Sequence, residues 1–454
     1  QHVAKAGDND TLIKRPLNRL MDVFFRTDAD RTARTRNKLH RRRQQRAQAG
    51  HAVTVFEAGR APGGRARAVA AQRADGTPVL LDNGQHILIG AYTECLRLMR
   101  AVGVDPDQAL LRLPLQLVFP DGAGLQLPDV PPPWDALTGI ARARGWSLGE
   151  RLALLARAAR WRLAGFACPP GTSVAGLCAG LPGRLIDEFI DPLCVSALNT
   201  PAGAACGQVF LRVLRDSLFA GRGGSNLLLP RRDLGALFPE PAARWLQERG
   251  HAVHLGRRVQ TLAQGGAGWL VDGEPFDAVL LASGSHEAAR LVAQAGTTAA
   301  LQSWAACAQA LRHGAIATVY AELPGAPAAL LARPMLALRP RAGRPAQFVF
   351  DRARLDGQRG LLAFVVSAFE GERAQLEREV LAQAAEDLGL PGLRVVQTVV
   401  EKRATFACTP ALARPPRHIA PGLQACADYV AGPYPATLEG AVLHGVAAAQ
   451  DLKG

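Results

Sequence analysis

An α/β fold is predicted by three observations. From residue 51 onward, apolar β-branched runs alternate with segments of helical spacing. The first run, Val53-Thr54-Val55-Phe56, ends on an acid, Glu57, and leads to a glycine pair, Gly63-Gly64, with arginines at 65 and 67. Two later runs end in the same manner: Ala278 to Ala282 in a small-residue turn, and a short apolar strand at Asp428, before a helix that starts at Thr437. Parallel sheets take their ligands at such strand ends.

The elements follow in order. Residues 1–50 do not match the rest: they hold two glycines, Gly7 and Gly50, and no apolar strand. Three readings stand for them: a nucleic-acid arm, a helix solvated on every face, or sequence foreign to this fold. After the Gly-Gly turn comes a hairpin-like stretch, then LDNGQHILIGAY (81–92). Residues 93–103 have helical spacing at Leu96, Met99 and Val102, closed by Gly103. Short strands and prolines fill 113–133. Residues 147–166 predict a helix, with Ser147 as N-cap and Glu150 three residues on. Residues 184–219 are mostly helical, interrupted by LNTPAG, and 236–249 form another helix. Several strands occupy 251–281. Residues 313–322 and 361–369 read as strands of a second sheet, followed by a helix at 371–388. The C-terminus is strand, turn and helix over 420–450.

Composition bounds the possibilities. A chain of 454 residues has room for one large or two medium domains. Hydrophobic residues at 48% against 20% charged ones are globular. No apolar run reaches the ~18 residues of a membrane span, and no signal peptide is visible, so a cytoplasmic protein is expected. The eight cysteines (95, 168, 178, 194, 206, 307, 408, 426) form no C-x-x-C pair and no metal spacing. They read as small hydrophobes in a reducing compartment, with no metal site. The net charge of +14 is uneven: residues 1–50 carry thirteen Lys and Arg against five Asp. A nucleic-acid arm would bind with a steep salt dependence, but nothing after residue 50 supports such a partner.

The chemistry begins at Glu57. A carboxylate ending the second strand of a dinucleotide fold accepts hydrogen bonds from a ribose diol. Gly63 and Gly64 let backbone approach a pyrophosphate, and Arg65 offers a planar fork of donors. This reads as half of an FAD site. Asp428 and the helix starting at Thr437 supply an acid and a dipole for the other half, the free N–H groups of the helix forming an anion site.

These segments resemble the FAD-dependent desaturase and amine-oxidase superfamily, and within it the squalene-associated branch, the hydroxysqualene dehydroxylases. The narrower resemblance lies in LDNGQHILIGAY, in 191–221 with its LNTP, in SNLLLPRRDLGALFPEPAARWLQERG (225–250) and in PATLEGAV. It implies a Rossmann-like FAD domain, discontinuous over 47–100, 221–290 and 400–454, with an interleaved α+β substrate domain over 101–220 and 291–399. Residues 1–46 then form a basic, non-matching segment, expected to stay largely disordered or loosely helical and not to contact FAD. Gly84, Val259 and Leu438 join the expected cofactor contacts. Two departures stand out. The family's Gly-x-Gly-x-x-Gly turn has no counterpart in the first 50 residues, so the chain as written is expected to bind FAD weakly or not at all. The family's Gly-Asp is Ala427-Asp428 here.

The resemblance implies reductive dehydroxylation of hydroxysqualene to squalene, a step toward hopanoids, with reduced FAD giving a hydride. His86, in DNGQH, is the candidate for the proton or for orienting the substrate oxygen. A backbone-bonded structural histidine is the alternative. Asp82 is a candidate for fixing the turn at Gly84, and His313 is a second histidine candidate. The substrate is a lipid. The stretch 151–166, with Leu154, Leu155, Trp161 and Phe166 near Arg157, Arg160 and Arg162, reads either as a basic amphipathic helix on a membrane or as a core-facing helix with a solvated arginine face. Two further functions remain open: another FAD-dependent isoprenoid desaturase or amine oxidase, or a non-catalytic paralogue unable to hold FAD.

Overall fold

The computed structural model describes residues 51–219, 221–266, 268–326 and 328–452, together with the two-residue strand Thr27–Asp28. The expectation that residues 1–46 are disordered and do not contact FAD otherwise lies outside the described residues. The chain divides into two compact units, Gln1–Pro62 with Ala242–Leu311 and Ala413–Gly454, and Gly63–Pro241 with Arg312–Leu412. This division runs elsewhere than the expected boundaries: 63–100, 221–241 and 400–412 belong to the second unit, and 291–311 to the first.

In the first unit Thr54–Glu57 pairs in parallel with Ala252–Leu255, Glu57 opposite Leu255. A separate sheet runs Leu262–Gln264, Trp269–Val271, Glu274–Leu281, Leu423–Ala425, His418–Ala420. Within it Glu274–Leu281 and Leu423–Ala425 are parallel, with Leu281 opposite Ala425. Thr27–Asp28 pairs antiparallel with the outer part of Glu274–Leu281, at Phe276 and Ala278. Among the described residues no ladder joins the two sheets, and Phe56 meets Phe276 edge-on at 6.0 Å. Helices Ser285–Gln294, Ala299–Gln309 and Leu438–Asp451 complete the unit.

The second unit is built on an antiparallel sheet in the order Met335–Ala337, Phe348–Asp351, Leu361–Phe369, His313–Glu322, Arg394–Phe406. Strand Leu361–Phe369 reads as an unbroken apolar run because both its faces are covered. Leu362, Phe364 and Val366 join one core with Val380 and Ala384 of helix Arg373–Leu388. Leu361, Ala363 and Val365 join the other with Phe189, Phe210 and Leu214 of the helical layer. The expected hairpin is Ala68–Gln72 with Pro78–Asp82. It belongs to this unit because its Asp82 carbonyl accepts a hydrogen bond from the Tyr320 hydroxyl at 3.0 Å.

Helix Leu148–Leu163 starts at the expected Ser147 with a full capping box: Ser147 Oγ accepts from the Glu150 N–H, and the Glu150 carboxylate from the Ser147 N–H. Such a cap contributes roughly 1 kcal/mol. Its inward face carries Leu154 and Trp161, 1% and 7% exposed. This corrects the membrane reading of 151–166 at those two residues: they pack in the core, where each buried large side chain contributes about 1.5–3 kcal/mol. The eight cysteines are free thiols, five of them buried and three half-buried. No helix among the described residues is long and apolar enough to cross a membrane.

Candidate functional site

The first unit brings the nucleotide-side candidates to strand ends. Glu57 closes its strand half-buried, and its Oε1 accepts the Gly59 N–H at 2.6 Å. This turns the chain back on the carboxylate. A Cβ at Gly59 would lie 3.0 Å from that oxygen, so a side chain there would have to push the carboxylate aside by a few tenths of an ångström. Val259 is half-buried, with its carbonyl accepting Arg290 Nη2 at 2.8 Å. Asp428 is buried in the turn after Leu423–Ala425, and its backbone carbonyl accepts the Ala436 N–H at 3.1 Å.

Thr437 is the N-cap of Leu438–Asp451, as expected. Its hydroxyl donates to the Tyr434 carbonyl at 2.8 Å and accepts from the Gly440 N–H at 3.0 Å. Leu438 is the first helical residue. The turn before it is strained, with Tyr434 and Ala436 at φ of 55° and 57°. It also presses on the helix: a Cβ at Gly440 would stand 2.1 Å from the Tyr434 carbonyl oxygen. His444, one turn further on, is buried. Burial first, then the cations Arg414 and Arg417, push its pKa down to about 4.

Around the carboxyl ends of the two parallel strands, several buried polar atoms find no hydrogen-bond partner among the described residues. They are Ser283 Oγ, Ser285 Oγ, Tyr429 OH and His444 Nε2. Leaving a buried donor or acceptor unmet costs on the order of 1–3 kcal/mol each. Such a cluster at strand ends fits a polar, hydroxyl-rich ligand, as an FAD ribityl or ribose chain is.

The second unit spends most of its candidate groups on itself. Gly63 sits at φ 113°, and a Cβ there would stand 2.3 Å from the Ala66 carbonyl oxygen; Gly64 lies at φ 57°. Only glycine fits at 63, while at 64 the left-handed backbone favours glycine with open space around it. Arg65 donates through Nη1 to the Ala404 carbonyl, so part of its fork is held by strand Arg394–Phe406. Asp82 is fully buried. One oxygen accepts the Leu234 N–H at 2.8 Å and the other Arg352 Nη1 at 2.9 Å. Arg352 also holds Gln85 Oε1 at 3.0 Å, and its other nitrogens go to Asp356. Asp82 therefore fixes the segment leading to Gly84. Burial raises its pKa against the pull of Arg352.

His86 is set by this clamp. Its Nδ1 lies 2.7 Å from the Gly84 carbonyl oxygen, which places the proton on Nδ1 and leaves Nε2 as an acceptor. Burial lowers its pKa, outweighing Gly84 and Asp82, and Arg65 lowers it further. A neutral ring with a bare Nε2 suits orienting a hydroxyl better than giving a proton at neutral pH. A Cβ at Gly84 would meet only Thr318 Oγ1 and the His86 ring, at ordinary van der Waals distances. His313 opens the strand His313–Glu322, opposite Phe406.

Sequence reasoning misses Asn199. It ends helix Asp191–Leu198 in the left-handed conformation, φ 45°. Its Nδ2 donates to Thr405 Oγ1 at 3.0 Å and its Oδ1 accepts the Ala368 N–H at 2.7 Å. The LNTP motif is thus a clasp between a helix end and two strands. Asparagine tolerates that backbone, and the Asn before Thr-Pro is its visible signal.

A family model, flavin containing amine oxidoreductase, matches residues 44–453. The chain belongs to this family. Its cofactor is FAD, and it is an oxidoreductase. The match gives no support to a chain unable to hold the cofactor. The chain is similar to hydroxysqualene dehydroxylase of Rhodopseudomonas palustris, 28% identical and covering 89% of this chain and 93% of the relative. It is 26% identical to the protein of that name from Sinorhizobium fredii, with the same two coverages. Among solved structures, an oxidoreductase from Methanosarcina mazei superposes with a TM-score of 0.64 at 17% identity, covering 89% of this chain and 95% of that one. Cyclohexylamine oxidase from Brevibacterium oxydans gives 0.63 at 15%, covering 90% and 95%. At these identities the amine-oxidoreductase likeness in structure concerns the fold.

Proposed function

We propose that the protein converts hydroxysqualene, a thirty-carbon allylic alcohol, to squalene, releasing water, in the supply of squalene for hopanoids. The observation that carries this is the likeness to two bacterial hydroxysqualene dehydroxylases along 89% of the chain. Reduced FAD would supply, when bound, both the hydride for carbon and the proton with which the hydroxyl leaves as water. Glu57, Gly63, Gly64, Arg65, Gly84, Val259, Asp428, Thr437 and Leu438 hold the cofactor in this reading, Glu57 on a ribose diol and the Thr437 helix by its free N–H groups.

His86 accepts the substrate hydroxyl at Nε2 and orients the carbon–oxygen bond. The Arg352–Asp82 clamp holds the loop that carries it. Product analysis tests the reading. Purified enzyme with reduced flavin given hydroxysqualene should yield squalene, and the same enzyme with oxidised flavin and an electron acceptor should not turn over phytoene or amines. The reverse pattern would place the chain among the desaturases or amine oxidases. His86→Ala should keep its flavin yet lose roughly a hundredfold in kcat. An acceptor role also predicts no rise in kcat as pH falls through the ordinary imidazole range, whereas a general-acid role predicts one.

A further inference from the structure

Six of the eight large hydrophobic side chains exposed among the described residues lie between Val130 and Leu163. Three stand on helix Leu148–Leu163: Leu148 is 71% exposed, Leu152 56% and Leu163 89%. At about 100° per residue they fall within roughly 60° of one another, on the side opposite the buried Leu154 and Trp161. The helix therefore has two apolar stripes, one in the core and one in solvent. Helix Trp134–Ala141 packs against it and exposes Trp134 and Leu137.

The charge of this region has one sign. Residues 130–166 carry six arginines against two acids. Neither acid is available to them: Asp135 is buried, and Glu150 is held in the capping box. No ion pair joins Arg142, Arg144, Arg160 or Arg162 to a carboxylate among the described residues. Arg160 borders the outer stripe on one side and Arg162 on the other.

We propose that this face docks on an anionic lipid bilayer, the leucines and Trp134 entering the headgroup region and the arginines meeting phosphates. The chemistry favours a membrane over a second copy of the chain, since two such faces would set arginine against arginine. The leucines also stand on a convex helix surface, which suits shallow insertion.

Vesicle co-sedimentation of the full chain tests this. The wild type should bind phosphatidylglycerol-rich vesicles, bind pure phosphatidylcholine vesicles far more weakly, and lose affinity as salt rises. A triple variant, Leu148→Ser with Leu152→Ser and Leu163→Ser, and a charge reversal, Arg160→Glu with Arg162→Glu, should each weaken binding at least about tenfold. Both change exposed side chains, so thermal unfolding should stay near the wild type. If the triple variant fails to fold, the charge reversal alone decides. The proposal is overturned if the wild type ignores anionic vesicles, or if both folded variants bind as it does. A wild-type dimer that the triple variant dissociates, without vesicle binding, would assign the face to self-association instead.

Discussion

Glu57 and Asp82 are both acids that end a strand just ahead of a glycine-bearing turn, and the protein uses them in opposite ways. Glu57 is half-buried, and the Gly59 N–H bonds one of its oxygens. Asp82 is sealed: the Leu234 N–H takes one oxygen and Arg352 the other. A strand-end acid is therefore not by itself a ligand group. What makes it one is an oxygen left open, and that depends on which cation or N–H the tertiary fold brings to it. The same contrast separates the imidazoles. His86 keeps Nε2 as an acceptor beside a bonded Nδ1, while His444 is packed so closely that a Cβ at Gly432 would stand 2.5 Å from its ring.

The contrast can be broken most directly at Arg352. Arg352→Met leaves Asp82 buried without its cation, and should cost about 3–5 kcal/mol of unfolding free energy by urea titration. A loss below about 1 kcal/mol would mean that Asp82 is not sealed.

The next effect concerns pH. His444 titrates near 6.5 when unfolded and is pushed down to about 4 when folded. Below pH 6.5 the unfolded chain binds a proton that the folded one refuses. The stability this residue contributes is complete above 6.5 and is lost as pH falls toward 4. The span is on the order of 3 kcal/mol. His444→Gln should flatten that part of the thermal stability profile; an unchanged slope would show that the ring is not buried neutral.

The smallest effect sharpens the other side of the comparison. Glu57→Ala should weaken FAD binding by about 1.5–3 kcal/mol in a flavin fluorescence titration, by losing a charge-assisted hydrogen bond. Unfolding of the cofactor-free protein should move far less than in Arg352→Met. Normal flavin retention would remove Glu57 from the cofactor contacts.

Much of the fold is legible in the amino-acid sequence. The capping box at Ser147, the strands His313–Glu322 and Leu361–Phe369, and the Thr437 helix start follow from local rules, because caps and apolar periods act within a few residues. The long strand Arg394–Phe406 is not, although Val395, Val396, Thr398, Val399 and Val400 are β-branched; its charged outer positions dilute the apolar run.

The sequence alone determined the α/β class, the glycine pair at 63–64 and the strand-end acids, since backbone sterics and side-chain period are local properties. Tertiary structure alone decided which acid is sealed, which imidazole nitrogen accepts, and which stripe of helix Leu148–Leu163 faces water. Arg352 lies 270 positions from Asp82. No local pattern reports that approach, because the free energy of a charge depends on the groups the fold packs around it.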